Sequence, residues 1–235
     1  MTGRPAMTGR RVRIKVPGAF PYPIGRRSMS LQGSSFSGPL PRIVGFSANL
    51  QRPSKTRALV EAVAEATGAR LRADIRLFDV VDAGTGLGAA WSRDQLSLPA
   101  RRILEAIENA DALIVGTPVY KGAYTGLFKH LFDFVDPAAL AGKPVVLSAT
   151  GGGARHALVV EHSLRPLFGF FSAQTVPTSV YGSDADFSDG VLVDEGVRGR
   201  VSDAAAQLAA LLGARAKPSA SFEAAPAAAF AAPNR

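Results

Sequence analysis

The chain is 235 residues long, 47% hydrophobic and 20% charged, with a formal net charge of +8 and no cysteine. That length and apolar content suffice for one sizeable core, and the lack of cysteine excludes disulfides, thiolate nucleophiles and cysteine-ligated metal. No apolar run reaches the ~18–20 residues that cross a bilayer, so membrane-spanning classes are set aside.

Seven cations (Arg4, Arg10, Arg11, Arg13, Lys15, Arg26 and Arg27) fall in residues 1–40, which hold no carboxylate, leaving +1 for the rest of the chain. The first acidic residue is Glu61. The globular part is therefore near neutral, and the basicity does not argue for a nucleic-acid-binding fold. Residues 1–40 are rich in Pro, Gly, Ser and Arg, lack a sustained period and read as a disordered basic arm. The Met-Thr-Gly-Arg repeat at Met1 and Met7, with Met29 beyond it, marks alternative starts; an organellar transit peptide is the competing reading.

A folded domain is expected over 41–213, built from alternating strands and helices. The first strand, 42–47, carries Ile43-Val44-Gly45-Phe46 and runs into Ser47-Ala48-Asn49-Leu50-Gln51-Arg52-Pro53-Ser54-Lys55-Thr56. A helix over 54–67 follows, with Leu59, Val60 and Val63 on its apolar face. Hydroxyls at Ser47, Ser54 and Thr56, cations at Arg52 and Lys55, and a helix N-terminus suit an anion such as phosphate. An ordinary Ser54 N-cap with solvated basic neighbours is the alternative.

A second strand is expected at 72–79, then an irregular excursion over 82–98. Within it Gly84-Thr85-Gly86-Leu87-Gly88-Ala89 satisfies G-x-G-x-x-A, but no helix opens after it, so it is discounted as a dinucleotide fingerprint. A helix at 97–109 leads to a third strand, 111–116, and the loop Thr117-Pro118-Val119-Tyr120-Lys121-Gly122-Ala123-Tyr124. A helix is expected over 123–135, with Leu127, Phe128, Leu131, Phe132 and Val135 on one face. Ending a buried strand in such a loop is how open α/β sheets build ligand crevices, though a plain tight turn would look the same.

The fourth strand, 143–149, ends in Thr150-Gly151-Gly152-Gly153. Three glycines imply positive φ or a close backbone approach, as to the edge of a flat ligand; a flexible surface loop is the alternative. A helix over 155–171, kinked by Pro166, a fifth strand at 174–181 and a last helix at 195–212 complete the pattern. The Ala/Pro-rich segment 214–235 reads as a disordered tail. His130, His156 and His162 show no zinc spacing, and Asp184, Asp186 and Asp189 read as turn formers before a cation site. Five βα units argue a parallel sheet with helices on both faces and strand order 2-1-3-4-5, which brings all three loops to one edge.

Taken together, SANLQRPSKT, TPVYKGAYTG and SATGGG resemble the NAD(P)H-dependent FMN reductase family, over about Arg42 to Leu212. The likeness is strongest to reductase components of two-component alkanesulfonate and methanesulfonate monooxygenase systems. It implies a flavodoxin-like three-layer α/β sandwich. By this resemblance Ser47, Asn49, Arg52, Ser54, Lys55 and Thr56 would hold the FMN phosphate. Pro118, Val119, Tyr120, Lys121 and Gly122 would border the isoalloxazine and ribityl chain, and Thr150, Gly151, Gly152 and Gly153 the pyrimidine edge. Tyr124 matches an additional residue, associated with a π-bulge at functional sites, that favours release of reduced flavin.

The activity so implied is hydride transfer from NADPH or NADH to FMN, with Lys121 and the Thr150–Gly153 amides stabilising negative charge. Reduced FMN would leave for a flavin-dependent monooxygenase, and the resemblance implies a cytoplasmic homodimer or homotetramer with no nucleic-acid or membrane partner. Phe128, Phe132, Phe168, Phe170 and Phe171 are candidate interface residues. The rivals are an FMN-retaining quinone, azo or metal reductase and a flavodoxin-type electron carrier.

Overall fold

A computed structural model describes residues 39–215. The expected basic arm and Ala/Pro-rich tail lie, apart from their innermost residues, outside the described residues. Nine principal elements carry the architecture: β1 (Arg42–Ser47), α1 (Lys55–Gly68), β2 (Asp74–Asp79), α3 (Leu98–Glu108), β3 (Ala112–Pro118), α4 (Gly126–Asp133), β4 (Pro144–Gly151), α6 (Arg165–Phe170) and α7 (Glu195–Arg215). Smaller pieces are α2 (Val80–Ala83), α5 (Pro137–Leu140), β5 (Gln174–Thr175), β6 (Val180–Ser183) and the antiparallel pair β7 (Phe187–Ser188) and β8 (Val191–Leu192).

The sheet runs β2-β1-β3-β4-β5, all parallel, with β6 also pairing to β4. This is the expected 2-1-3-4-5 order, except that the single strand read over 174–181 is two short pieces. Pro177 lies in the gap and has no N–H for the ladder, which is the physical reason for the break.

The central strands β3 and β4 are buried along nearly their whole length, as expected of a parallel sheet covered on both sides. Side-chain alternation divides the core into two layers. Val44, Phe46, Leu113, Val115, Val145 and Leu147 meet α3, α4 and α6 on one face. Ile43, Ala112, Ile114 and Val146 meet α1 and α7 on the other. Phe128, Phe132, Phe168 and Phe171 fill the first layer with Phe46 and are at most 4% exposed, so they are core, not surface. Only Phe170 of the five candidate interface aromatics is open, at 73%.

Two helices depart from expectation. The segment over 123–135 becomes helical only at Gly126, because Thr125 is its N-cap, accepting from the Phe128 N–H at 3.3 Å. The segment over 155–171 is a 3-10 turn (Ala154–His156), a π-helical stretch (Val160–Leu164) and then α6. Pro166 follows directly on the π-helical stretch, inside a helical run that is unbroken from 159 to 170, so the expected irregularity at Pro166 takes the form of a π-helical segment just ahead of it. Among the described residues no helix is long and apolar enough to cross a membrane.

Candidate functional site

The three loops singled out from the sequence leave the carboxyl ends of neighbouring strands. In register, Ser47 faces Gly116 and Pro118 faces Thr150. The loops are also stitched together. Ala48 N–H donates to the Gly116 carbonyl at 2.8 Å and Val119 N–H to the Thr150 carbonyl at 2.7 Å. The buried hydroxyls of Thr56 and Thr150 meet at 2.6 Å, joining the start of α1 to the glycine loop.

In the first loop Ser47 and Asn49 are buried, and Ser47 Oγ donates to Asn49 Oδ1 at 2.6 Å. Asn49 Nδ2 donates to the Gln51 carbonyl at 3.0 Å and to Asp79 at 3.2 Å. Ser54 caps α1, accepting from Arg57 N–H at 3.3 Å. The N–H groups of Lys55 and Thr56, in the first turn, have no carbonyl one turn back and point out of the helix end. The Ser47 hydroxyl is thus committed inside the protein, and it is the Ser54 hydroxyl and the first-turn N–H groups that stand at the start of α1.

The two cations are deployed differently. Arg52 donates Nε and Nη2 to the two Asp79 oxygens, both at 2.7 Å, and Nη2 also to Asp82 at 2.6 Å. Lys55 Nζ pairs with Asp184 at 2.8 Å across an exposed surface. The Asp79 and Asp82 hydrogen bonds push the Arg52 pKa up, so its charge is permanent. Burial alone would raise the Asp79 carboxyl; the hydrogen bonds from Arg52, Asn49, Arg57 and the Asp82 N–H outweigh it and hold the group below its ordinary range.

In the second loop Tyr120 and Ala123 exchange two main-chain hydrogen bonds, at 3.0 and 3.2 Å. Lys121 and Gly122 between them have φ of 53° and 84°. Positive φ at both central positions makes this a tight primed turn, natural for glycine but strained for lysine. The turn lifts Tyr120, 50% exposed, and Lys121 from the surface. Tyr124 is half-buried just ahead of the Thr125 cap, with its ring 5.8 Å from Phe128. It is not within α4, and the π-helical stretch found among the described residues is at Val160–Leu164; the expected π-bulge at Tyr124 is thus corrected.

The third loop has no glycine in the left-handed region. Gly151 instead meets a close approach: a Cβ there would sit 2.7 Å from Tyr181 Oη and 3.3 Å from His156 Cβ. Tyr181, on β6, donates to the Gly153 carbonyl at 2.7 Å and so braces the loop from behind. Burial pushes its phenol up. At Gly153 a Cβ would meet nothing within 4 Å, so the front of the loop is open. The half-buried His156 lies beside it, accepting from Arg155 Nε at 3.2 Å.

This donor set fits a flavin mononucleotide. A helix start with serine and threonine hydroxyls suits a phosphate, and open glycine backbone with an exposed Lys–Gly turn suits a flat polar ring edge. The discounted Gly84–Ala89 stretch forms turns after α2 and opens no helix. His130 contacts the Leu87 and Ala90 carbonyls at 3.1 and 3.0 Å, tying that excursion to α4.

Sequence reasoning passed over two residues here, Asp79 and Tyr181. Asp79 had a visible signal, since Asp79 and Asp82 form a reciprocal capping box at the end of β2. Tyr181 had none, because its partner is a main-chain carbonyl 28 residues away.

A family model described as NADPH-dependent FMN reductase matches residues 41–187. The FMN reductase (NADPH) of Pseudomonas aeruginosa is 44% identical over 75% of this chain and 95% of its own. The NADH-dependent FMN reductase SfnF of Pseudomonas fluorescens is 46% identical over the same shares, 75% and 95%. Among solved structures, an oxidoreductase from Corynebacterium diphtheriae superposes with a TM-score of 0.68 at 33% identity, over 74% of this chain and 98% of the other. With a sheet of the expected order and three loops joined at its carboxyl edge, the chain belongs to the NADPH-dependent FMN reductase family.

Proposed function

We propose that this NAD(P)H-dependent FMN reductase handles FMN as a diffusible substrate and supplies reduced flavin to a flavin-dependent monooxygenase acting on sulfonates. The observation that carries the site is the junction of the three loops through the Thr56–Thr150 hydroxyl contact. It ties the start of α1 directly to the glycine loop. FMN, when bound, supplies the hydride-accepting chemistry, and the chain supplies orientation and electrostatics.

In this reading the main-chain donors at Lys55 and Thr56, with the Ser54 and Thr56 hydroxyls, receive the phosphate. The turn from Pro118 to Gly122 and the main chain of Thr150–Gly153 border the ring, and the Lys121 ammonium favours negative charge there. No side chain is needed as a general acid or base. Tyr124, packed on Phe128 at the foot of the turn, is assigned the weakening of flavin retention. The resemblance in TPVYKGAYTG supports the monooxygenase partnership, a homodimer or homotetramer and a cytoplasmic setting where reduced nicotinamide nucleotides are available.

The test is steady-state oxidation of NADH and of NADPH by purified protein, with free FMN added or omitted. Both nucleotides are needed, since one relative is named for NADPH and another for NADH. Colourless protein whose turnover saturates with added FMN is the expected result. Yellow protein indifferent to free FMN and dependent on a quinone or dye would establish the flavin-retaining alternative. Flavin binding without nucleotide oxidation would indicate an electron carrier. A monomer by light scattering would remove the oligomer.

A further inference from the structure

Asp79 is a fully buried carboxylate at the end of β2, in register with Ser47 of the first loop. It accepts from five donors: Arg52 Nε and Nη2 at 2.7 Å, Arg57 Nη1 at 2.9 Å, Asp82 N–H at 3.0 Å and Asn49 Nδ2 at 3.2 Å. Two of these residues, Asn49 and Arg52, belong to the loop between β1 and α1, and Arg57 belongs to the first turns of α1. One carboxylate thus grips both sides of the segment that presents Ser54, Lys55 and Thr56.

An ion pair between a buried carboxylate and partly exposed guanidinium groups contributes little net stability, because desolvation of the carboxylate offsets an attraction that solvent screens. What it does supply is geometry. A carboxylate held by a planar guanidinium fork fixes the loop in one arrangement, and lysine in place of that arginine could not form the fork. Phosphate recognition by main-chain N–H groups depends on those groups being aimed before the ligand arrives, since ordering a loop on binding costs affinity.

We infer that Asp79 is a positioning residue for phosphate recognition, holding the β1–α1 loop through Asn49, Arg52 and Arg57, with Arg52 acting as a strut and not as a phosphate ligand. The inference rests on the phosphate reading of this loop. It reverses the role that a cation in the loop suggests at first sight: the guanidinium faces the protein carboxylates, and the anion is left to hydroxyls and backbone.

The test compares FMN with riboflavin, which lacks the phosphate, by quenching of flavin fluorescence on titration with wild type, Asp79→Asn and Arg52→Lys. Wild type should prefer FMN. Asp79→Asn should weaken FMN binding by about tenfold or more, of the size of one lost well-made polar interaction. Its riboflavin affinity, and its kcat at saturating FMN, should stay near wild type. Arg52→Lys keeps the charge, loses the fork and should show the same selective loss.

Equal weakening for FMN and riboflavin in Asp79→Asn would reduce Asp79 to a structural role and overturn the inference. Unchanged or tighter FMN binding would do the same, the latter because a released Arg52 then reaches the phosphate. Arg52→Lys with wild-type FMN affinity would also overturn it, and decides the matter if Asp79→Asn does not fold. If wild type itself fails to distinguish FMN from riboflavin, the phosphate reading falls and the inference with it. That failure is separable, since it appears before any substitution is made.

Discussion

Lys143, at the threshold of β4, is only 6% exposed, and its ammonium donates to the Ile107 and Glu108 carbonyls at 2.9 and 2.8 Å. These are among the last carbonyls of α3, which lack the α-helical partner four residues on. Burial drags the Lys143 pKa down to about 8, against the pull of Asp111 and Glu108, while Arg215 and Arg42 add to the depression. Below pH 8 folded and unfolded chains both carry the proton, and the folded state bears the whole desolvation penalty. Between about 8 and the ordinary 10.5 the unfolded chain binds a proton that the folded chain has released, so stability rises with pH. Relative to Lys143→Met, the wild type should therefore gain on the order of 3 kcal/mol across that window, an upper bound. Urea unfolding of both proteins at a series of pH values measures it, and parallel profiles would remove the assignment.

Individual side chains also show what a sequence displays and what it conceals. Arg52 and Lys55 are plainly cations in a loop, but their carboxylate partners come from elements 27 and 129 residues further on, and spacing along the chain does not disclose them. Ser54 and Thr125 were more tractable, since capping depends on residues three apart. The sequence shows Ser54 as a cap, but Thr125 is hidden by the apolar periodicity, which extends the helix back to 123, ahead of its true start at Gly126.

At the scale of elements, β1, β3 and β4 were legible because strands buried on both faces leave unbroken apolar runs. The π-helical stretch at Val160–Leu164 was not, since no residue type marks an added backbone turn. The brace between β6 and the glycine loop yields a further expectation. Gly151→Ala puts a methyl group 2.7 Å from Tyr181 Oη, whose hydroxyl is already committed to the Gly153 carbonyl. Loop and ring must separate, costing about 1–3 kcal/mol as an overpacked site does and weakening FMN binding. Gly152→Ala is the control: its nearest neighbour would be Asp184 Oδ2 at 3.8 Å, so stability should hold. Thermal unfolding with FMN titration of both variants checks the pair, and equal behaviour would refute the brace.

For the molecule as a whole, relatives such as the Pseudomonas aeruginosa reductase align over 95% of their own length with 75% of this chain. Among the described residues the two core layers pack α1 and α7 on one face and α3, α4 and α6 on the other. We therefore propose that this portion carries the activity. A protein limited to residues 39–215 should oxidise NAD(P)H with added FMN at an unchanged kcat; loss of turnover in a folded fragment would give the outer segments a part in the reaction.

The contact between Thr56 and Thr150 has a directional side. Each hydroxyl owns a single proton, and only one of the two can lie between the oxygens. If Thr56 points its proton at Thr150, the proton of Thr150 is free to turn elsewhere; if Thr150 donates, the freedom passes to Thr56. An acceptor that draws the Thr56 proton at the helix end therefore obliges Thr150 to donate inward. The start of α1 and the glycine loop are thus in communication through the sense of one hydrogen bond, with no movement of the backbone required.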